Sequence, residues 1–286
     1  MIMTDPALES TEPSGTGRSA YRDRTDPGVS GFLDEPLGLK VPLIGVSFWV
    51  VKVITTGMGE AMSDFLAKFS IALPVLVGVI AVAVAMVRQL RARRYHAPTY
   101  WSAVAAIAIF GTVGADGLHA VGVSTTVTSL FYAVVLGVWM VLWYRSEGTL
   151  SIHDITTRRR ELFYWGTVLL TFALGTALGD WSAFFLGLGF GGSIVLYAAL
   201  IVVPGVAWKF LRLNSIVAFW AAYILTRPLG ASIADWLGKP SPVGIGWGDG
   251  VVALGSVALA AILVLVLWRT RRDDPNRPVL RTGGDR

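Results

Sequence analysis

One spacing recurs four times in this chain, each time inside a stretch apolar enough to cross a bilayer. An aromatic residue precedes a tryptophan, a glycine follows ten residues after the tryptophan, and an aspartate five residues after that. The copies open at Phe48-Trp49, Tyr100-Trp101, Tyr164-Trp165 and Phe219-Trp220. Their glycines are Gly59, Gly111, Gly175 and Gly230, and their aspartates are Asp64, Asp116, Asp180 and Asp235. A carboxylate in a lipid-spanning helix is costly, so four at one register need a physical reason.

The surrounding composition fits a polytopic membrane protein. The chain is 54% hydrophobic and 15% charged, with a mean hydropathy of +0.61, which no soluble domain of this size matches. Eight apolar stretches approach the ~20 residues that span a bilayer. They cover roughly 43–66, 69–88, 100–121, 123–144, 162–181, 185–207, 216–237 and 250–268. Residues 1–40 and 269–286 are polar and read as a disordered tail and a second polar tail. The absence of cysteine excludes disulfides, thiolate metal sites and cysteine nucleophiles.

Basic residues fall on alternate connections. Arg88, Arg91, Arg93 and Arg94 follow the second span, Arg145 and Arg158 to Arg160 the fourth, Lys209 and Arg212 the sixth, and Arg269, Arg271 and Arg272 the eighth. The positive-inside rule then puts both termini and these loops in the cytoplasm. The net charge of +5 follows from that topology and gives no sign of nucleic-acid binding. The expected fold is all-α: eight transmembrane helices as four tandem hairpins, with repeats at about 41–95, 96–158, 159–213 and 214–268. Each odd span starts on the same side, so the repeats are parallel, with any symmetry axis along the membrane normal.

A helix turns 100° per residue, so the third, seventh, eleventh and fourteenth residues after each tryptophan share one side. In the first copy these are Lys52, Thr56, Glu60 and Ser63. The third and fifth spans contribute Thr112 and Thr176 at the eleventh position, and the seventh span contributes Tyr223 and Arg227. This stripe of small and polar residues predicts that the four odd helices pack together, stripes inward, with the even helices outside. The glycines have two readings, close helix packing or helix breaks, with Pro228 favouring a break in the seventh span. The tryptophans read as interfacial anchors. On that reading each aspartate lies ~22 Å along the helix from its tryptophan, in the outer third of the membrane.

Four aspartates plus Glu60 would repel one another unless protons or a cation neutralise them. Lys52 and Arg227 lie on the stripe and can pair with two of the acids. The acids left over favour a hard cation held by oxygen ligands. Asp64, Asp116, Asp180, Asp235 and Glu60 are therefore the ion-binding or proton-carrying candidates. Thr56, Thr112 and Thr176 would supply neutral oxygens, and His119 a nitrogen ligand or relay. The competing reading makes each aspartate a helix cap.

The segments FWVVKVITTGMGEAMSD (48–64) and FYWGTVLLTFALGTALGD (163–180) resemble the signature of a bacterial family of uncharacterised membrane-anchored proteins built from tandem repeats of unknown function. The similarity covers about residues 41–268. It implies a multi-pass location in the bacterial inner membrane and a repeat architecture, and it lends no activity. The third and seventh spans match loosely, since Asp116 has no nearby glutamate and the seventh carries Arg227-Pro228.

The leading functional expectation is a transporter of small cations, divalent ions among them, with protons as a second partner and lipid as the surroundings. The alternative is a structural or partner-binding membrane protein. Leu178-Gly179-Asp180 is only a fragment of a membrane aspartyl protease motif, and no phosphate-cradling loop is present. The chain is thus expected to be neither an enzyme nor an ATP-driven pump. No cofactor is implied beyond a bound cation.

Overall fold

The computed structural model describes residues 33–277. Eight long helices follow one another: α1 (Val46–Ala67), α2 (Ala72–Arg91), α3 (Ala97–Ala120), α4 (Thr125–Glu147), α5 (Arg158–Asp180), α6 (Gly189–Leu211), α7 (Ser215–Gly238) and α8 (Asp249–Thr270). Their ends have local causes. Ser124, Thr157 and Asn214 cap α4, α5 and α7 by accepting backbone N–H bonds, and Gly148 ends α4 in the left-handed conformation at φ 71°. A π-helical turn, Trp181–Phe185, continues α5 before α6 begins.

Seven of the helices, α2 through α8, are long and apolar enough to cross a membrane. The exception is α1, where eight spans were expected. Lys52, Glu60 and Asp64 dilute its apolar character. All eight nevertheless build one bundle, the make-up of a multi-pass membrane protein. The even helices turn large apolar side chains outward: Ile80 and Val84 on α2, Val134 and Val138 on α4, Val202 and Val203 on α6, Leu254 and Ile262 on α8. In α5, by contrast, two thirds of the most apolar window is buried inside the protein. The odd helices form the inside of the bundle and the even helices its lipid-facing coat.

The odd helices close a ring. α1 packs on α3, α3 on α5, α5 on α7, and α7 on α1. Each even helix packs mainly against the odd helix that comes next: α2 on α3, α4 on α5, α6 on α7, and α8 back on α1. The two helices of one sequence hairpin touch far less. The repeats are therefore interleaved, and the last helix closes the circle against the first.

The glycines explain how close the ring can be. A Cβ built on Gly59 would overlap Ala108, one on Gly111 would overlap Phe172, one on Gly175 would overlap Arg227, and one on Gly230 would overlap Thr56. In every case the glycine of one repeat receives the seventh-position residue of the next. Glycine is the residue that lets two helix backbones approach this far. The packing reading of the glycines is the right one, and the helix-break reading is not. α1, α3, α5 and α7 run unbroken through their glycines, α7 even through Pro228.

The tryptophans also have a different role from the one expected. Trp101, Trp165 and Trp220 are buried in protein and Trp49 is half-buried, so they do not form a lipid-facing belt. Each aromatic residue before a tryptophan packs at a tilt against the tryptophan of the following repeat. Centroid distances are 5.7 Å for Phe48–Trp101, 5.4 Å for Tyr100–Trp165, 6.2 Å for Tyr164–Trp220 and 5.8 Å for Phe219–Trp49. The result is an aromatic collar around the starts of the odd helices, at the end of the bundle that also carries the basic loops.

Residues 33–44 correct the expected tail boundary. Leu37 N–H donates to Thr156 O (2.7 Å), Gly38 N–H to Arg93 O (2.9 Å) and Leu43 N–H to Asp273 O (2.9 Å). Lys40 is buried, bonding to Gln89 O at 2.8 Å and forming an ion pair with Glu161. A strap thus ties the α2–α3 connection, the start of α5 and the segment after α8 together. The rest of the two tail expectations, residues 1–32 and 278–286, lies outside the described residues.

Candidate functional site

The predicted stripe residues meet at the centre of the odd-helix ring. Arg227 on α7 is fully buried and donates to four acceptors: Glu60 Oε2 (2.7 Å), Thr176 Oγ1 (2.7 Å), Thr112 Oγ1, and the Thr56 carbonyl (3.1 Å). Thr112 and Thr176 in turn donate to Glu60 Oε2 at 3.3 and 3.5 Å. One carboxylate oxygen therefore gathers donors from α3, α5 and α7 around an acid on α1. A pair so desolvated needs further hydrogen bonds to offset its burial; both terminal nitrogens of Arg227 have them, while its Nε is buried without a partner among the described residues.

Lys52 lies on the same stripe towards the aromatic collar. Its Nζ sits 4.0 Å from the Phe172 ring centroid and 4.3 Å from that of Tyr223, with Thr56 Oγ1 at 3.5 Å. Among the described residues no carboxylate lies within ion-pair distance of it. The expected charge pairing with an acid is replaced by two cation–π contacts. The Thr56 hydroxyl donates back to the Lys52 carbonyl at 2.6 Å, so only the Thr56 carbonyl reaches Arg227.

The aspartates gather at the opposite end of the ring, in two groups. Glu60, Asp64 and Asp235 form one and Asp116, His119 and Asp180 the other; within each group one ligand atom per residue lies within 4.8 Å of the rest. His119 Nδ1 is 3.4 Å from Asp180 Oδ2. The groups act on each other electrostatically through Glu60, Asp64 and Asp180. None of the aspartates caps the next helix: Asp64, Asp116 and Asp235 lie inside helices, and Asp180 makes no side-chain cap bond. The cap reading is therefore overturned. Oxygen ligands with one imidazole suit a hard or borderline divalent cation.

Lys239 was not among the expected site residues, yet it enters this end from the connection after α7. Its Nζ pairs with Asp64, lies 3.9 Å from Asp235 and 3.8 Å from Asp249. Burial works against its charge, but the Asp64, Asp235 and Asp249 carboxylates outweigh burial and hold the amine above its ordinary value. Asp249 also pairs with Lys68 at 2.7 Å. The available signal was the i, i+4 spacing of Asp235 and Lys239. The buried Lys40–Glu161 pair near the collar was missed too. Its sign in the sequence is Glu161 alone, an acid in the first turn of α5.

The comparisons identify the repeats. The model of a family described as Repeat of Unknown Function (DUF347) matches residues 47–95, 99–149, 163–214 and 218–273. No curated protein and no solved structure matches the chain. Each of the four matches takes in one odd helix and the even helix after it, together they cover most of the sequence, and the chain belongs to this repeat family.

Proposed function

We propose that the protein carries small cations across the bacterial inner membrane, with both termini in the cytoplasm, and that it is not an enzyme. One observation carries the reading: acids from all four repeats gather at the same end of a ring whose outside is apolar. The basic loops at the collar end support that end as cytoplasmic. The acidic end would then face outward and take up the ion. Glu60, Asp64 and Asp235 would bind it in competition with Arg227 and Lys239, and Asp116, Asp180 and His119 would offer a second stop. The ion would displace side-chain cations from carboxylates they already hold, so binding and conformational change would be linked through differential affinity.

The test is uptake of ⁵⁴Mn²⁺ and ⁸⁶Rb⁺ into proteoliposomes. Saturable uptake of either ion is expected, lost in an Asp64→Asn plus Asp180→Asn double variant that still melts cooperatively. Unchanged uptake in that variant refutes the reading. The dense pairing of Glu60 with Arg227 and of Asp64 with Lys239 favours a second one, a static scaffold. In that case the same substitutions lower thermal stability, and no ion shifts the melting of the wild-type protein.

A further inference from the structure

Between the central Arg227 and the basic end lies a set of buried groups that ion binding does not use. The hydroxyls of Tyr100 and Tyr164, from neighbouring repeats, are hydrogen-bonded to each other. Tyr95 bonds through its hydroxyl to Asp273, and its ring lies 5.7 Å from that of Tyr100. Tyr223 is fully buried, and its hydroxyl lies close enough to that of Tyr164 for the two to interact, without a well-formed hydrogen bond to any group among the described residues. Above it sits the Lys52 amine, 4.3 Å from the Tyr223 ring centroid. At the far end, Tyr95 and Asp273 line a cavity of about 440 Å³ with Arg94, Arg271 and Arg277.

Packing alone does not account for these hydroxyls. In the repeat pattern, the positions of Tyr100 and Tyr164 are filled by Phe48 and Phe219 in the other two copies. The collar contacts of those phenylalanines match the tyrosines' in kind and distance. Burying a hydroxyl without a well-formed bond is unfavourable, and Tyr223 keeps one where phenylalanine would fill the same space.

We propose that Lys52, Tyr223, Tyr164, Tyr100, Tyr95 and Asp273 form a proton path from the centre of the ring to the cavity at the basic end. Lys52 gives up an ammonium proton to the Tyr223 oxygen. Each tyrosine takes one proton on its oxygen and passes its own to the next, and the Asp273 carboxylate becomes a carboxylic acid. One N–H bond breaks, one O–H bond forms at Asp273, and every tyrosine is restored once its hydroxyl turns back. The reverse sequence returns the proton. The charged groups facing Lys52 are few: Arg227 from α7 acts on it electrostatically, while α5 presents the Phe172 ring. Arg227, held by Glu60, Thr112, Thr176 and the Thr56 carbonyl, stands between these groups and the acidic end, so protons can use them without competing for the ion's carboxylates. Burial holds the Asp273 carboxyl above its ordinary value, with the Tyr95 hydroxyl pulling the other way, which suits an acceptor that must also release.

The path deepens the carrier reading, which it needs only for the coupled ion. Proteoliposomes with trapped pyranine, polarised by potassium and valinomycin, report proton entry, and ⁵⁴Mn²⁺ uptake is followed in parallel. Wild-type protein is expected to admit protons above empty vesicles. Tyr100→Phe, Tyr164→Phe and Asp273→Asn should each cut that flux at least tenfold while melting within a few degrees of wild type. Wild-type proton flux in any two of these variants, or none above background in the wild type, overturns the path. Tyrosine-dependent proton flux without ⁵⁴Mn²⁺ or ⁸⁶Rb⁺ uptake upholds the path and rejects the carrier.

Discussion

Replacing Glu60 with glutamine removes the carboxylate that Arg227 holds at 2.7 Å and leaves a guanidinium with no exposure to solvent. A guanidinium cannot shed its charge, so the variant must keep a buried cation hydrogen-bonded only to neutral oxygens. Breaking a buried pair from one side costs about 3–5 kcal/mol. At roughly 2–3 °C per kcal/mol for a chain this long, melting in detergent should fall by about 6–15 °C. Arg227→Met strands the carboxyl instead, and a carboxyl can neutralise itself with a proton. That variant should be the milder of the two, and its deficit should shrink as the pH is lowered. The double variant Glu60→Gln plus Arg227→Met removes both charges and should melt nearer to wild type than either single one, with a coupling energy of roughly 3 kcal/mol. Arg227→Lys should not rescue, because an ammonium cannot reach Glu60, two threonine hydroxyls and the Thr56 carbonyl from one position. Single variants that melt within a degree of wild type, or a double variant as damaged as the sum of the singles, would refute this account of the centre.

Gly59→Ala and Gly111→Ala should each destabilise by about 1–3 kcal/mol through overpacking, since the added methyl meets Ala108 backbone or the Phe172 Cβ. Gly137→Ala, with nothing within 4 Å of the new methyl, should cost nothing in the same melting assay. Lys239 has a folded-state value raised above 10.5, so its stabilising effect is complete below 10.5 and fades as pH climbs through the folded value. Lys239→Met should therefore lose stability at neutral pH, and the gap to wild type should close only in strongly alkaline buffer; a gap independent of pH would contradict the pairing with Asp64.

Much of the ring was legible before any coordinates. The helical stripe correctly grouped Glu60, Thr112, Thr176 and Arg227, because a 100° turn fixes which side chains share a face and polar groups in an apolar chain have only the inside to face. What periodicity could not supply was the identity of the neighbour. Nothing in a single helix says that Gly59 will receive Ala108, or that α2 will lie on α3 and leave α1. Those facts depend on ring closure, a property of four helices at once. The tryptophans were misread for the same reason: an aromatic pair at a helix start looks alike whether it meets lipid or the next repeat. Lys52 was assigned a carboxylate because charge counting ignores the faces of Phe172 and Tyr223, which the sequence places far away. Lys239 and Asp273 escaped because one lies in a connection and the other after the last helix, where no period marks which way a side chain goes.

The repeats are most alike where they build the ring and least alike on its axis. Aromatic, tryptophan and glycine recur in all four copies and make the same contact with the following copy each time. The seventh position differs in every copy and the eleventh is shared by only two: they read Thr56 and Glu60, Ala108 and Thr112, Phe172 and Thr176, Arg227 and Ala231. A strictly fourfold centre would place four like groups on one axis, either four charges repelling at close range or four neutral groups with nothing to bind. Divergence of the copies lets one acid and one base share the axis with two hydroxyls. The recurring aspartates are the informative exception, since they keep the repeat's symmetry and yet carry charge. They can do so because they sit at the ring's open end, only partly buried for three of the four, where Lys239 and water can share the load. The axis therefore grades from symmetric and acidic at one end, through a single asymmetric ion pair, to aromatic and closed at the other. A group crossing it would meet a different chemistry at each level.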